Sequence, residues 1–158
     1  PGDVKLIESM MPYCVAVYDP GNERWSGHWG ELTSNSAAAK GCQGVVVDGG
    51  LRDSTQQLLI LNWSAFGRFT SPIEAGFRME MMDIQKPILM SGSLTRVVTV
   101  RPNDFVFGDL DGVIIIPQEI AVEVLLEAEE VVSKEAKARE ELRKGVPREE
   151  VMKKYKVG

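Results

Sequence analysis

The sequence of 158 residues contains few cysteines and no long apolar run. Its two cysteines, Cys14 and Cys42, have no C-x-x-C spacing and form no cluster with histidine, so nothing indicates a zinc site. We expect both to be free thiols in a reducing compartment. No segment approaches the roughly 18 apolar residues of a membrane-spanning helix, and no charged and then apolar leader opens the chain. These absences predict a soluble, cytoplasmic protein without a membrane partner.

Positive charge is also scarce. The chain has 18 Lys and Arg against 23 Asp and Glu, a formal net charge of -5 and an isoelectric point near 5.0. The basic residues concentrate in the C-terminal region, where they alternate with glutamates, and this is not the charge pattern of a nucleic-acid surface. We therefore expect no nucleic-acid partner. The chain starts at Pro1 without an initiator Met, and we expect an N-terminal segment to be missing.

The pattern of apolar residues predicts an α/β fold with a core of its own. The continuous run at residues 44–47 is typical of a strand covered on both faces. Gly41 is expected to end the helix that precedes it. Strands are predicted at residues 14–19, 43–49 and 64–71, with three or four more between 86 and 117, and helices at 29–40 and 54–62.

The composition changes after Pro117. Apolar residues at helical spacing and i, i+4 Glu/Lys or Glu/Arg pairs predict a long helix over residues 118–144, ended by Gly145. A shorter helix begins near Pro147. We therefore expect an α/β region over residues 1–117 and C-terminal helices over residues 118–158. These helices belong to the same domain or form a subunit interface.

A candidate site follows the predicted buried strand, in the sequence DGGLRD at residues 48–53. Ligands of open α/β sheets commonly bind where strands end. Gly49 and Gly50 permit close backbone approach, Arg52 offers a planar fork for a carboxylate, and Asp53 offers a hard oxygen ligand for a divalent cation. A surface turn with an Arg–Asp ion pair explains the same residues, and the residues alone leave both interpretations open.

Spacing to an earlier acidic residue points to a known family. Glu31 and Arg52 are separated by twenty residues, and Asp53 follows directly. This resembles the acidic-x20-Arg-Asp signature of the RraA-like family, which includes the class II pyruvate aldolases that cleave 4-hydroxy-4-methyl-2-oxoglutarate. GCQGVVVDGGLRD, PGDV and VRPNDFVFGDLDGVIIIP are similar to further landmarks of the family. The resemblance extends over residues 1–117.

The resemblance implies a swivelling β/β/α domain with mixed sheets and a C-terminal helical extension, assembled as a homotrimer or homohexamer. It implies that Arg52 binds the pyruvate moiety and stabilises its enolate oxygen, and that Asp53 holds Mg²⁺ or Mn²⁺. Glu31 would order a water on the metal for proton transfer. The backbone amides around Gly30, Glu31 and Leu32 would receive the substrate carboxylate, as helix N-termini receive anions.

The implied function is that of a metal-dependent lyase that releases pyruvate from a 4-hydroxy-2-oxo acid and also decarboxylates oxaloacetate. Both reactions pass through a pyruvate enolate, whose charge requires a Lewis acid or an iminium. The iminium route needs a buried lysine, yet Lys5, Lys40 and Lys86, the lysines before the C-terminal region, each lie beside a predicted element end. The alternative is a protein-binding regulator, like the family's ribonuclease E inhibitors, that needs no metal.

Aromatic residues near the proposed anion site have two interpretations each. His28 stands in SGHWGEL and is either an acid, base or ligand, or a packed or exposed loop residue. Trp25 and Trp29 either line the pocket or belong to the core or an interface.

Three charged residues farther along the chain also allow two interpretations. Asp109 and Asp111 form either a metal-binding pair or a tight turn with Gly112 at its special position. Arg68 either contacts a distal substrate carboxylate or makes a structural hydrogen bond.

Overall fold

The computed structural model describes residues 2–54 and 63–157. The chain divides into two compact units, Pro1–Ile115 and Ile116–Gly158. The helix predicted at residues 54–62 lies outside the described residues except for Ser54. Within the described ranges, no helix combines the length and the apolar character needed to cross a bilayer.

The first unit contains two helices and eight strands in its described part, and the last strand ends one residue beyond the boundary, at Ile116. The helices are α1 (Gly2–Ser9) and α2 (Glu31–Ala39). The strands are β1 (Val15–Tyr18), β2 (Gly27–Trp29), β3 (Gly44–Leu51), β4 (Ser64–Thr70), β5 (Ile88–Ser91), β6 (Val97–Val100), β7 (Phe105–Asp109) and β8 (Gly112–Ile116). The strands predicted around residues 14–19, 43–49 and 64–71 are confirmed, and the predicted three or four later strands number four among the described residues.

Strand β3 is the centre of a four-stranded parallel sheet. Strand β4 pairs along one edge of β3, whereas β1 and then β2 pair along the other. All eight residues of β3 are buried. The prediction of a strand covered on both faces is therefore confirmed, because the sheet also carries a layer on each side.

The two faces of β3 pack against different layers, since successive side chains of a strand point to opposite sides. Val45 and Val47 join the cluster with Trp29 and Trp63, against which residues of α1 and α2 pack. Val46 points the other way and packs with Met90 and Val100 of the β5–β6 pair. Residues of β7 and β8 join this second cluster. The first unit is thus layered as helices, parallel sheet and two-stranded sheets.

Helix α2 ends where the sequence predicts, at a glycine with a left-handed backbone. Gly41 has φ of +86°, a backbone conformation that residues other than glycine adopt only with strain. Its amide donates to the carbonyl of Ala38 at 2.9 Å. A Cβ at Gly41 would lie 2.9 Å from the Cα of Pro12, so the helix end also lies against the backbone that leads into β1.

The second unit is a helical pair. A 3-10 turn at Gln118–Ile120 leads into α3 (Ala121–Arg143), and α4 (Arg148–Tyr155) follows after Gly145, which has φ of +86°. Glu141 accepts hydrogen bonds from Lys154 Nζ at 2.6 Å and from the Tyr155 hydroxyl at 2.9 Å, which tie the helices together. The predicted long helix and its stop at Gly145 are confirmed.

The contact between Gly41 and Pro12 generates a stability prediction. Gly41→Ala should lower the free energy of unfolding by about 1 kcal/mol for the left-handed backbone, and by roughly a further 1–2 kcal/mol for the clash with Pro12. Gly21→Ala is the matched control, since Gly21 has φ of +67° but nothing within 4 Å of its Cβ position. Urea unfolding followed by circular dichroism measures both. Equal losses in the two variants would contradict the role of the Pro12 contact.

Candidate functional site

The carboxyl ends of three neighbouring parallel strands lie side by side. Trp29 of β2 pairs with Leu51 of β3, and Leu51 pairs with Thr70 of β4. The chain leaves all three strands at this edge, which is where open α/β sheets bind ligands. The loops that leave it begin with Gly30–Glu31, Arg52–Asp53 and Ser71–Glu74.

Backbone hydrogen bonds fix these loops to one another. The Arg52 amide donates to the carbonyl of Trp29 at 2.8 Å, so the pairing of β2 with β3 continues into the loop. On the other side, the Ser71 amide donates to the carbonyl of Leu51 at 2.9 Å. The Arg52 backbone is therefore held from both sides, which sets the direction in which its side chain leaves the sheet.

The start of α2 is anchored by the ring of Trp29. Its indole N–H donates to Ser34 Oγ at 2.9 Å, and Ser34 Oγ donates to the carbonyl of Gly30 at 3.0 Å. The ring also stacks on Trp63 with centroids 6.1 Å apart. Trp29 is therefore a core residue, which was one of the two interpretations offered by the sequence. Trp25 is 70% exposed and is not part of the core of this chain.

Arg52 and Asp53 meet the N-terminus of α2. Arg52 Nε lies 3.4 Å from Asp53 Oδ2, and the backbone amide of Glu31 donates to the same oxygen at 3.3 Å. The positive end of the helix dipole favours a carboxylate at this place. The two side chains keep 31% and 40% of their surface exposed, so both are open to a ligand.

Gly30 leaves the space that this arrangement needs. A Cβ at Gly30 would lie 3.0 Å from Asp53 Oδ2 and 3.4 Å from the Nε and Nη2 atoms of Arg52. A larger residue would therefore displace the guanidinium or the carboxylate. The structure thus brings together Gly30, Glu31, Arg52 and Asp53, and the exposed Leu32 follows in the first turn of α2.

The side chain of Glu31 is held along its own helix. Asn35 Nδ2 donates to Glu31 Oε1 at 2.5 Å and to the Glu31 carbonyl at 3.0 Å. Its carboxylate is thus fixed by the next turn of α2, while its backbone amide contacts Asp53. The role of Glu31 in ordering a water stays a prediction.

Asp53 has a backbone conformation that is unusual for a residue with a side chain. Its φ is +54°, in the left-handed region that Asp and Asn tolerate better than most other residues. Conformations of this kind cluster at functional sites. Here the conformation keeps the carboxylate beside both Arg52 and the first turn of α2.

The carboxylates at this edge suit a cation that takes only part of its coordination shell from the protein. Among residues 2–54 and 63–157, no group of three or more His, Cys, Asp or Glu side chains is placed to enclose a metal ion. Asp53 and Glu31 supply hard oxygen atoms, and Mg²⁺ is typically bound by one or two carboxylates with waters or substrate oxygens completing its shell. The donor set therefore fits Mg²⁺ or Mn²⁺ in an open site rather than in a closed protein cage.

His28 is packed rather than exposed. Its side chain has no solvent-exposed surface, and its ring lies against Gly49, where a Cβ would be 2.8 Å from His28 Cδ2. His28 Nε2 lies 3.0 Å from Glu23 Oε2. Burial lowers the pKa of the imidazole, and the opposing effect of the Glu23 carboxylate is smaller. The structure thus supports the interpretation of His28 as a packed residue.

Arg68 makes a structural ion pair, with a partner that the sequence did not reveal. Arg68 Nε donates to Asp48 Oδ1 at 2.6 Å, and the Ser91 amide donates to Asp48 Oδ2, also at 2.6 Å. Burial raises the pKa of Asp48, but the hydrogen bonds from Ser91 and Arg68 outweigh it and hold the pKa below its ordinary value. The buried carboxylate thus joins β3, β4 and β5 next to the site.

The Asp109–Asp111 segment is a tight turn. The Asp111 amide donates to Asp109 Oδ1 at 2.8 Å, and Gly112 has φ of +146°. These features match the interpretation as a turn with Gly112 at the special position.

Glu74 is the residue beside Arg52 that sequence reasoning missed. Its Oε2 atom lies 3.7 Å from Arg52 Nη1. No motif or spacing marks Glu74, since its segment reaches Arg52 through a parallel bridge to Gly27 of β2 rather than through nearness in the chain.

Comparison with known proteins identifies the family. The family model described as RraA-like: Aldolase/RraA matches residues 3–115. The chain belongs to the RraA-like family. An uncharacterized protein of Methanocaldococcus jannaschii is 33% identical over 117 residues, which are 74% of this chain and 53% of that protein. A Halalkalibacterium halodurans protein named "Putative 4-hydroxy-4-methyl-2-oxoglutarate aldolase" is 32% identical over 125 residues, 79% of this chain and 56% of that protein. This RraA-like chain thus spans about half the length of these curated relatives.

Solved structures confirm the RraA-family fold. An uncharacterized protein from Pseudomonas syringae matches with a TM-score of 0.85 at 27% identity, over 94% of this chain and 71% of that one. RraAS2 of Streptomyces coelicolor, described as an unusual member of the RNase ES inhibitor RraA protein family, matches with a TM-score of 0.73. Its identity is 24%, over 87% of this chain and 67% of that one, so it shows the fold alone. The predicted α/β class with a C-terminal helical extension is confirmed.

The buried Asp48 generates a pH-dependent prediction. Asp48→Asn should lower the free energy of unfolding at pH 7 by about 1–2 kcal/mol, because Arg68 loses its charged partner. The folded-state pKa of Asp48 lies below its ordinary value of 3.8, so its contribution is complete above that value and is lost as the pH falls through the lower folded-state pKa. The difference between wild type and variant should therefore shrink as the pH falls below about 4.

Urea unfolding across this pH range tests the prediction. Asp109→Asn serves as control, since Asp109 is exposed and an asparagine oxygen also accepts the turn hydrogen bond. A loss in Asp48→Asn that stays constant with pH would contradict the role of the Asp48 charge.

Proposed function

We propose that this chain carries the site of a divalent-metal-dependent pyruvate lyase. Its reaction is the retro-aldol cleavage of a 4-hydroxy-2-oxo acid, such as 4-hydroxy-4-methyl-2-oxoglutarate, to pyruvate and a second carbonyl compound. Oxaloacetate decarboxylation is a second expected activity. The observation that carries the proposal is the placement of Arg52 and Asp53 together at the N-terminus of α2.

Each proposed role follows from the position of a group. The first-turn amides of α2 bind the substrate carboxylate, as a helix N-terminus binds an anion. The guanidinium of Arg52, next to those amides, donates hydrogen bonds to the 2-oxo oxygen. A divalent cation held by Asp53, with Glu31 alongside, would supply a Lewis acid for the charge that develops on this oxygen.

Both reactions break a C3–C4 bond and form the pyruvate enolate, so both require stabilisation of its negative charge. In the aldol cleavage, the C4 hydroxyl loses its proton, the C3–C4 bond breaks, and its electron pair remains as the pyruvate enolate. In oxaloacetate, the same bond breaks with release of CO₂. Arg52 stabilises the enolate oxygen, which carries more charge in the transition state than in the substrate, and this difference is what accelerates a reaction.

Glu31 is assigned to proton transfer. Asn35 fixes Glu31 Oε1 on the first turn of α2. We assign the ordering of a water to the other carboxylate oxygen, from which a proton passes to C3 of the enolate. We further propose that the protein assembles as a homotrimer or homohexamer in which a neighbouring subunit completes each site.

A protein-binding regulator of ribonuclease activity is the second candidate. It is favoured by the fold shared with RraAS2, whereas the name of the Halalkalibacterium halodurans relative favours the lyase. Fold does not decide between them, because function depends on the site. The strained Asp53 beside Arg52 supports the lyase, since a binding surface needs no such arrangement.

Pyruvate release tests the proposal directly. The full chain is incubated with 4-hydroxy-4-methyl-2-oxoglutarate or with oxaloacetate, in Mg²⁺, in Mn²⁺ and in EDTA. We expect release from both substrates with metal and none with EDTA. A folded, metal-supplemented protein that releases pyruvate from neither substrate would overturn the proposal and favour the regulator, whose test is co-purification with the ribonuclease.

Two substitutions give a sharper prediction. Arg52→Ala and Asp53→Asn should each lower kcat/KM by at least about a hundredfold, since the first removes the guanidinium that stabilises the enolate and the second removes the carboxylate that would hold the metal ion. Asparagine is chosen at position 53 because it tolerates the left-handed backbone, so the fold should be kept.

The control is Glu8→Gln. Glu8 pairs with Lys40 at 3.1 Å, at the opposite end of α2 from the site, and its loss should leave turnover unchanged. Near-normal turnover in Arg52→Ala or Asp53→Asn, with unfolding curves like those of wild type, would refute the assigned roles.

A further inference from the structure

Glu74 is held beside Arg52 by the backbone rather than by chance contact of a long side chain. Gly27 and Glu74 form a parallel β-bridge, and the Gly27 amide donates to the carbonyl of Ile73 at 2.8 Å. Ser71 adds a hydrogen bond from its Oγ to the carbonyl of Trp25 at 2.6 Å. The segment that carries Glu74 is therefore fastened along β2, next to the strand end from which Arg52 emerges.

The Glu74 carboxylate and the start of α2 lie near different atoms of the Arg52 guanidinium. The Cβ position of Gly30 is 3.4 Å from Arg52 Nε and Nη2, whereas Glu74 Oε2 is 3.7 Å from Arg52 Nη1. A path from the first turn of α2 across the guanidinium thus ends at Glu74. The Glu74 side chain is 63% exposed and its carboxylate is close to Arg52, so it is accessible to a ligand bound there.

A bound oxo acid would follow that path. With its carboxylate at α2 and its 2-oxo oxygen on Arg52, its C4 substituents extend toward Nη1 and Glu74. A hydroxyl or an alkyl group at C4 meets no charge penalty there. A second carboxylate at C4 would meet the negative charge of Glu74 and would also compete with Glu74 for Arg52.

We propose that Glu74 is a specificity-determining residue that selects against a second substrate carboxylate. The preferred substrates are then 4-hydroxy-2-oxo acids whose C4 substituents are uncharged, and diacids such as 4-hydroxy-4-methyl-2-oxoglutarate and oxaloacetate are cleaved less efficiently. This inference rests on the proposed function, since it takes the same orientation of the oxo acid on Arg52. It narrows the substrate class of that site.

A matched pair of ligands isolates the effect of the second carboxylate. 2-Oxopentanoate and 2-oxoglutarate both have five carbons and differ in the terminal carboxylate, and neither carries the C4 hydroxyl needed for cleavage. Isothermal titration calorimetry of the full chain in Mg²⁺ gives both dissociation constants. Wild type should bind 2-oxopentanoate more tightly, and Glu74→Gln should shift the ratio of the two constants by about tenfold in favour of 2-oxoglutarate.

Salt and control variants test the cause of that shift. The shift should shrink at high salt, because screening weakens repulsion between partly exposed charges. Glu8→Gln removes the same charge beyond the far end of α2 and should leave the ratio unchanged. Arg52→Ala should weaken the binding of both acids, which shows that they occupy this site.

The outcomes separate the inference from the function on which it rests. Binding of both acids with a ratio that Glu74→Gln does not change would overturn the role of Glu74 while the proposed site stands. An equal gain for both acids would do the same, since it would show only relief of the Glu74–Arg52 pair. No binding of either acid by folded wild type would overturn the proposed function together with the inference.

Discussion

The pairing of β3 on both of its edges, combined with burial of both of its faces, is the constraint on which the site depends. A strand enclosed in this way exposes polar side chains only where it leaves the sheet, because buried charges are costly unless they are paired. Asp48 meets this condition through Arg68 and Ser91. The next charged residues, Arg52 and Asp53, appear as the strand emerges beside the ends of β2 and β4.

Rigid neighbours on two sides hold the emerging residues. On the helix side, the Trp29 ring and Ser34 fix the first turn of α2, so its amides face the carboxylate of Asp53. On the opposite face of the sheet, the carboxylate of Asp48 joins β3 to β4 and β5 through its hydrogen bonds with Arg68 and Ser91. Preorganisation of this kind fixes the dipoles before a ligand arrives, which is the condition under which electrostatic stabilisation is most effective.

The RraA-like fold does not assign one activity, since its members carry names as different as aldolase and ribonuclease inhibitor. Discrimination between these functions therefore depends on the local geometry. In this chain, the guanidinium of Arg52 beside the N-terminus of α2, with the space left by Gly30, forms a site suited to an anionic ligand. Helix α2 contributes its N-terminus to that site and its hydrophobic face to the core.

The sequence by itself determined the elements whose signals are local. The valine run of β3, the left-handed glycines that end α2 and α3, and the position of Arg52–Asp53 after a buried strand are all readable from neighbouring residues. Periodicity and turn chemistry act over a few residues, which is why these predictions hold.

Tertiary structure alone decided which distant residues share a neighbourhood. Parallel strands meet only after long connections, and so their pairing and register leave no local trace in the chain. For that reason the partner of Arg68, the burial of His28 and the exposure of Trp25 could not be read from the sequence. The contact of Glu74 with Arg52 has the same origin, because it depends on the bridge between Glu74 and Gly27 of β2, which lies beside β3.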